Sequence, residues 1–149
     1  MLNRLEAWLF HGAVLLVGGT GLVYAWMLYL MEPADPYAVV NSPFQPLAQH
    51  LHVLLAPLLV FLSGTIWRRH VWARVQSGFP HRRRTGLFLA ATLFPMIVSG
   101  YFLQISVGDS WRTAWKGIHV AVSLAWLATY QIHQLTPRPA PAPRHSIGP

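Results

Sequence analysis

The chain has 149 residues, 54% of them apolar and 10% charged, with a net charge of +7, eight histidines and no cysteine. That length suits one compact unit, and so apolar a composition belongs to bilayer proteins, not to soluble domains. The lack of cysteine excludes disulfides, iron–sulfur clusters, thiolate zinc sites and covalent haem attachment through C-x-x-C-H.

The first apolar run, about residues 7–31, exceeds a signal h-region and lacks a small-x-small cleavage site, so it reads as a retained membrane helix. The connection 32-EPADPYAVVNSPFQP-46 carries two acids and neither lysine nor arginine. A second span covers about 47–67, introduced by Pro46. The segment 68-RRHVWARVQSGFPHRRR-84 then concentrates six arginines. Spans three and four cover about 86–105 and 111–135, with Asp109 and Arg112 at the turn between them. The tail 136-TPRPAPAPRHSIGP-149 is proline-rich and expected to be extended or disordered.

Residues 1–135 therefore read as one all-α domain, an integral membrane four-helix bundle, with 136–149 as a cytoplasmic tail. Excess arginine in the second connection and tail places both termini inside, N-in/C-in. In a bacterium this is a multi-pass protein of the inner (cytoplasmic) membrane. Lipid is the expected partner of the basic block, not nucleic acid, because the charge lies between apolar spans.

Eight histidines in so apolar a chain need an explanation. An ionisable group within a membrane helix is costly and faces a bundle interior or a cofactor. Neutral imidazole is the commonest axial ligand of haem iron. His119 and His133 are 14 residues apart, which returns the second to within roughly 40° of the first and about 21 Å along the axis. One such histidine then lies near each edge of the hydrocarbon, the depths required by two metal centres stacked across a membrane. The bland alternative is a pair of interfacial histidines bonding to neighbouring helices.

Antiparallel threading supplies partners at both depths. His11 opens span one at the inner edge, the depth of His133. His50 and His52 open span two at the outer edge, the depth of His119. His52 and His70 lie 18 residues apart, five turns of an ideal α-helix, which favours His52 as the inward residue and leaves His50 interfacial. Pro57 can kink that helix. His70, at the cytoplasmic surface, is the reserve inner ligand if His11 is not one. His81 and His145 read as solvated.

Gly18, Ala25, Gly64 and Gly100 are small positions that suit a flat macrocycle, or simply close helix packing. Arg112 and Lys116 lie where outer propionates would be; Arg69, Arg74 and Arg138 lie where inner ones would be. Lipid phosphates compete for each. Trp8, Trp26, Trp67, Trp111 and Trp115 read as interfacial belt residues.

The residues 10-FHG-12, 50-HLH-52, 119-HVAVSLAWLATYQIH-133 and the step 99-SGYFLQ-104 resemble the four-helix di-haem cytochrome b group. That group includes bacterial b-type quinol–cytochrome oxidoreductases and the cytochrome b subunits of formate dehydrogenases and nickel–iron hydrogenases. The resemblance spans most of residues 7–135. It implies two non-covalent b haems, the inner held by His11 and His133 and the outer by His52 and His119. It also implies electron transfer between a quinone pool and a redox partner subunit or cytochrome, as a subunit instead of a stand-alone enzyme. The competing readings are a non-redox anchor or assembly subunit, and a small metal transporter using 50-HLH-52.

Overall fold

The computed structural model describes residues 3–78 and 82–137. His81, Arg138, Arg144 and His145, with nearly all of the proline-rich tail, lie outside the described residues. The helices are α1 (Arg4–Tyr29), α2 (Gln45–Ile66), a π-helical segment (Trp67–Trp72), α3 (Ala73–Gln76), α4 (Arg83–Ile105) and α5 (Asp109–Leu135). No strand occurs among the described residues. The helices start and stop within a few residues of the four expected spans, except that the second runs on through Gln76.

Local chemistry accounts for the helix starts. Asn3 and Glu6 form a capping box: the Asn3 side chain accepts from the Glu6 N–H at 2.6 Å, and the Glu6 carboxylate accepts from the Asn3 N–H at 3.1 Å. Pro46 sits in the first turn of α2, where a missing N–H costs nothing. Gly108 precedes α5 with φ +101°, a conformation that a side chain would strain.

Three helical stretches are long and apolar enough to cross a membrane: Arg4–Tyr29, Gln45–Gln76 and Arg83–Ile105. Helix α5 has the length, 27 residues, but not the apolarity. Asp109, Arg112 and Lys116 occupy its first turns, and His119, Gln131, His133 and Gln134 interrupt the rest. The fourth expected span is thus the polar one, and it carries His119 and His133.

The chain divides into two units, Met1–Ala73 and Arg74–Pro149. In the first, α1 packs antiparallel on α2: Glu6 pairs with Arg69 at one end, and Gly21 lies against His52 towards the other. Its buried apolar residues are Ala13, Val14 and Val17 of α1 with Ala48, Leu59, Leu62 and Ile66 of α2. In the second, α4 packs on α5 around Ser99, Trp126 and Tyr130. The Trp126 indole N–H donates to the Leu89 carbonyl at 3.2 Å. Its ring stacks on Tyr130 at 5.4 Å, and Phe102 stacks on Trp115 at 4.5 Å. Large apolar side chains point outward in both units, among them Leu15 (75% exposed), Leu54 (74%) and Phe94 (72%). Water would oppose that much exposed apolar area, whereas hydrocarbon is the solvent that accepts it.

Arg82 has a role that its place in a basic loop conceals. It takes the left-handed conformation (φ 57°) just before α4, and its guanidinium donates to the carbonyl oxygens of Gln134 (3.0 Å) and Thr136. These are among the carbonyls that a helix end leaves without intrahelical partners. A hydrogen bond from a charged donor contributes about 1.5–3 kcal/mol net, with the lower end fitting a partly exposed pair. Arg82→Ala is therefore expected to speed amide exchange in the last turn of α5 roughly tenfold while leaving α1 unchanged. Exchange mass spectrometry reads this directly, and an unchanged last turn would contradict the cap.

Candidate functional site

Three histidines share one arrangement. On the first unit, His52 Nδ1 lies 3.0 Å from the Val17 carbonyl oxygen and 3.5 Å from Thr20 Oγ1. Its ring rests against bare backbone, since a Cβ on Gly21 would come within 2.8 Å of Cε1 and 3.0 Å of Nδ1. On the second unit, His119 Nδ1 lies 3.1 Å from Ser99 Oγ and 3.2 Å from the Met96 carbonyl oxygen. A Cβ on Gly100 would meet His119 Cε1 at 3.1 Å. His133 Nδ1 lies 2.8 Å from Thr85 Oγ1, and a Cβ on Gly86 would lie 3.5 Å from its Cε1. Each imidazole is thus seated on a hydroxyl–glycine dipeptide of the helix beside it: Thr20–Gly21, Ser99–Gly100 and Thr85–Gly86.

The spacing on α4 mirrors that on α5. Fourteen residues separate Thr85 from Ser99, as fourteen separate His119 from His133. Antiparallel helices in register convert one 14-residue step into the other, so both seats follow from a single packing alignment. Sequence reading singled out Gly100 but not Thr20, Gly21, Thr85, Gly86 or Ser99. The recurrent hydroxyl–glycine pair was the available signal, but not a sufficient one. Ser63–Gly64 has the same form, yet a Cβ on Gly64 would meet nothing within 4 Å.

The other expected site residues fall as follows. His11 is half-buried on α1, with its ring edge-on to Trp8 at 6.3 Å between centroids. His50 is exposed and His52 half-buried, so burial distinguishes the two where periodicity argued only through His70. That argument itself loses its basis. His70 sits in the π-helical segment, whose wider turns break the five-turn phase from His52. Arg69 donates to Glu6 at 2.8 Å, bracing the start of α1 against the π-helical segment. Arg74 and Arg112 are exposed and Lys116 is half-buried.

The donor set suits a haem better than a bare ion. Among the described residues no three His, Asp or Glu side chains converge on a point. A haem iron takes only one or two protein ligands, and an axial imidazole characteristically engages its other ring nitrogen with a carbonyl or similar acceptor. With Nδ1 so engaged in His52, His119 and His133, Nε2 is the nitrogen that could ligate a metal. An open groove beside α1 and α2, lined by Leu15, Leu16, Thr20, Met27, Phe44 and Leu51 among others, is apolar and includes no ionisable side chain. Compared with known proteins, the chain matches no family model, no curated protein and no solved structure.

Proposed function

We propose that the chain is an integral membrane cytochrome b. It spans the bilayer four times, N-in/C-in, in a bacterial inner membrane. Two non-covalent b haems, each between two histidines, carry electrons between a quinone pool and a redox partner protein. The observation that carries this reading is the shared seat of His52, His119 and His133, three imidazoles held through Nδ1 against a glycine.

A bound haem supplies a one-electron iron couple, and everything else is done by the chain. His52 and His119 serve the outer centre, and His11 and His133 the inner one, with His70 the alternative to His11; these pairings rest on helix depth in the sequence. Haems held by these histidine pairs would supply electron conduction and not substrate activation at the metal. Apolar surroundings and the acceptors on Nδ1 set the potentials. Arg112 and Lys116 would pair with the propionates of the outer haem. The polarity of α5 fits a helix that turns ligands inward while its other faces meet lipid. Quinone chemistry has its best proton acceptor in His70, since the apolar groove offers none.

Haem content by pyridine haemochromogen, measured against protein concentration on the purified chain, tests the reading. Two b haems per chain are expected. A colourless protein would overturn the proposal and leave the non-redox anchor in its place.

A further inference from the structure

The hydroxyls beside the three seated histidines do more than pack. A Ser or Thr hydroxyl has a single proton to donate. Thr20 spends it on the Leu16 or Val17 carbonyl (2.7 and 3.1 Å), Thr85 on the Arg82 carbonyl (3.0 Å) and Ser99 on the Met96 carbonyl (3.1 Å). With its proton committed to its own helix, each hydroxyl oxygen meets the imidazole as an acceptor. The carbonyls of Val17 and Met96, at 3.0 and 3.2 Å from His52 and His119, are acceptors by nature. For His52 and His119 the carbonyl makes Nδ1 the nitrogen that bears hydrogen and Nε2 the one with the lone pair; His133, which has no such carbonyl, takes the same tautomer when the Thr85 proton goes to the Arg82 carbonyl.

We infer that Thr85, Ser99 and Thr20 are positioning residues: each fixes its histidine in the Nδ1–H tautomer, aims Nε2 as the iron ligand and lowers the potential of the centre served. The inference rests on the haem reading above and deepens it. An acceptor on Nδ1–H increases electron donation from Nε2, which favours ferric over ferrous iron. At His52 and His119 the glycine after the hydroxyl is the second half of the device, because it lets the ring close onto the helix until Nδ1 reaches the oxygen, whereas at His133 a Cβ on Gly86 would make only ordinary contact at 3.5 Å. Thr85 makes the shortest of these contacts, 2.8 Å, so its loss has the largest effect. Thr20, at 3.5 Å and alongside the nearer Val17 carbonyl, has the smallest.

The test is an equilibrium redox titration of the full-length, haem-loaded chain, with haem content measured in parallel, for wild type, Thr85→Val, Thr85→Ser, Ser99→Ala and Thr20→Val. Thr85→Val is expected to raise the potential of one haem, Ser99→Ala that of the other, and Thr85→Ser to stay near wild type. A tenfold loss of ferric preference corresponds to ~59 mV for one electron. Selective loss of one haem in Thr85→Val but not in Thr85→Ser supports the same role, since loss of such a partner weakens metal binding roughly 10–100-fold. Two haems with unshifted potentials in Thr85→Val and Ser99→Ala would overturn the inference alone. A wild type with no b haem would overturn the underlying reading instead. If the variants fail to fold, nitrogen-15 shifts of the imidazoles in the diamagnetic ferrous wild type decide: protonated Nδ1 at His119 and His133 is expected, and ligation through Nδ1 would refute the assignment.

Discussion

Replacing His119 or His133 with alanine is expected to halve the b-type absorbance, each variant keeping the haem that the other loses. The two residues are about 21 Å apart along α5 and use different seats, Ser99–Gly100 and Thr85–Gly86. Sites that far apart with no shared partner behave additively, so the double replacement is expected to be colourless. His50→Ala is expected to retain both haems, because His50 is exposed while His52 occupies the α1 seat. His11→Ala and His70→Ala separate the two inner candidates: the one that costs a haem is the ligand. Reduced-minus-oxidised spectra with haem counting read all of these. Full haem content in both the His119 and the His133 variants would remove α5 from the site.

The second large effect is a gradient of glycine substitutions. Alanine at Gly21 would bring a methyl within 2.8 Å of His52 Cε1 and 3.0 Å of Nδ1. The ring can withdraw only by lengthening its 3.0 Å contact to the Val17 carbonyl. Overpacking of this kind costs about 1–3 kcal/mol, which outweighs the ~1 kcal/mol that alanine gains over glycine within a helix. Gly100→Ala, with contacts of 3.1 and 3.4 Å to His119, is expected to be milder. Gly86→Ala, at 3.5 Å from His133, makes an ordinary van der Waals contact and is expected to be nearly silent. Gly12→Ala and Gly19→Ala, with nothing within 4 Å, serve as controls that keep or slightly raise stability. Thermal midpoints in detergent, with haem retention as a second readout, should rank Gly21 as most sensitive, then Gly100, then Gly86. If Gly21→Ala were as benign as Gly19→Ala, the close seat of His52 would be wrong.

Both predictions combine information of two kinds. Helix positions were legible in the chain itself, because span length and apolarity are properties of consecutive residues. The boundaries found for α1, α4 and α5 lie within a few residues of those read from hydropathy. The 14-residue step between His119 and His133 was legible for the same reason, since one helix has one period. Hydropathy was a poorer guide where chemistry interrupts it. Residues 111–135 read as a fourth apolar span, yet α5 falls short of the apolarity that the other three reach.

What the sequence alone determined about this protein is a set of long helices, mostly apolar, with histidines at defined heights. Tertiary structure decided what each histidine touches. Packing of α2 on α1 set His52, not His50, against Gly21. Alignment of α4 with α5 brought two hydroxyl–glycine pairs under two histidines, and Arg82 onto the end of α5. The π-helical segment reset the phase of His70, which ideal α-helical periodicity had placed in line with His52. Periodicity ranks the faces of one helix, but the alignment between two helices is fixed by interlocking side chains far apart in the chain.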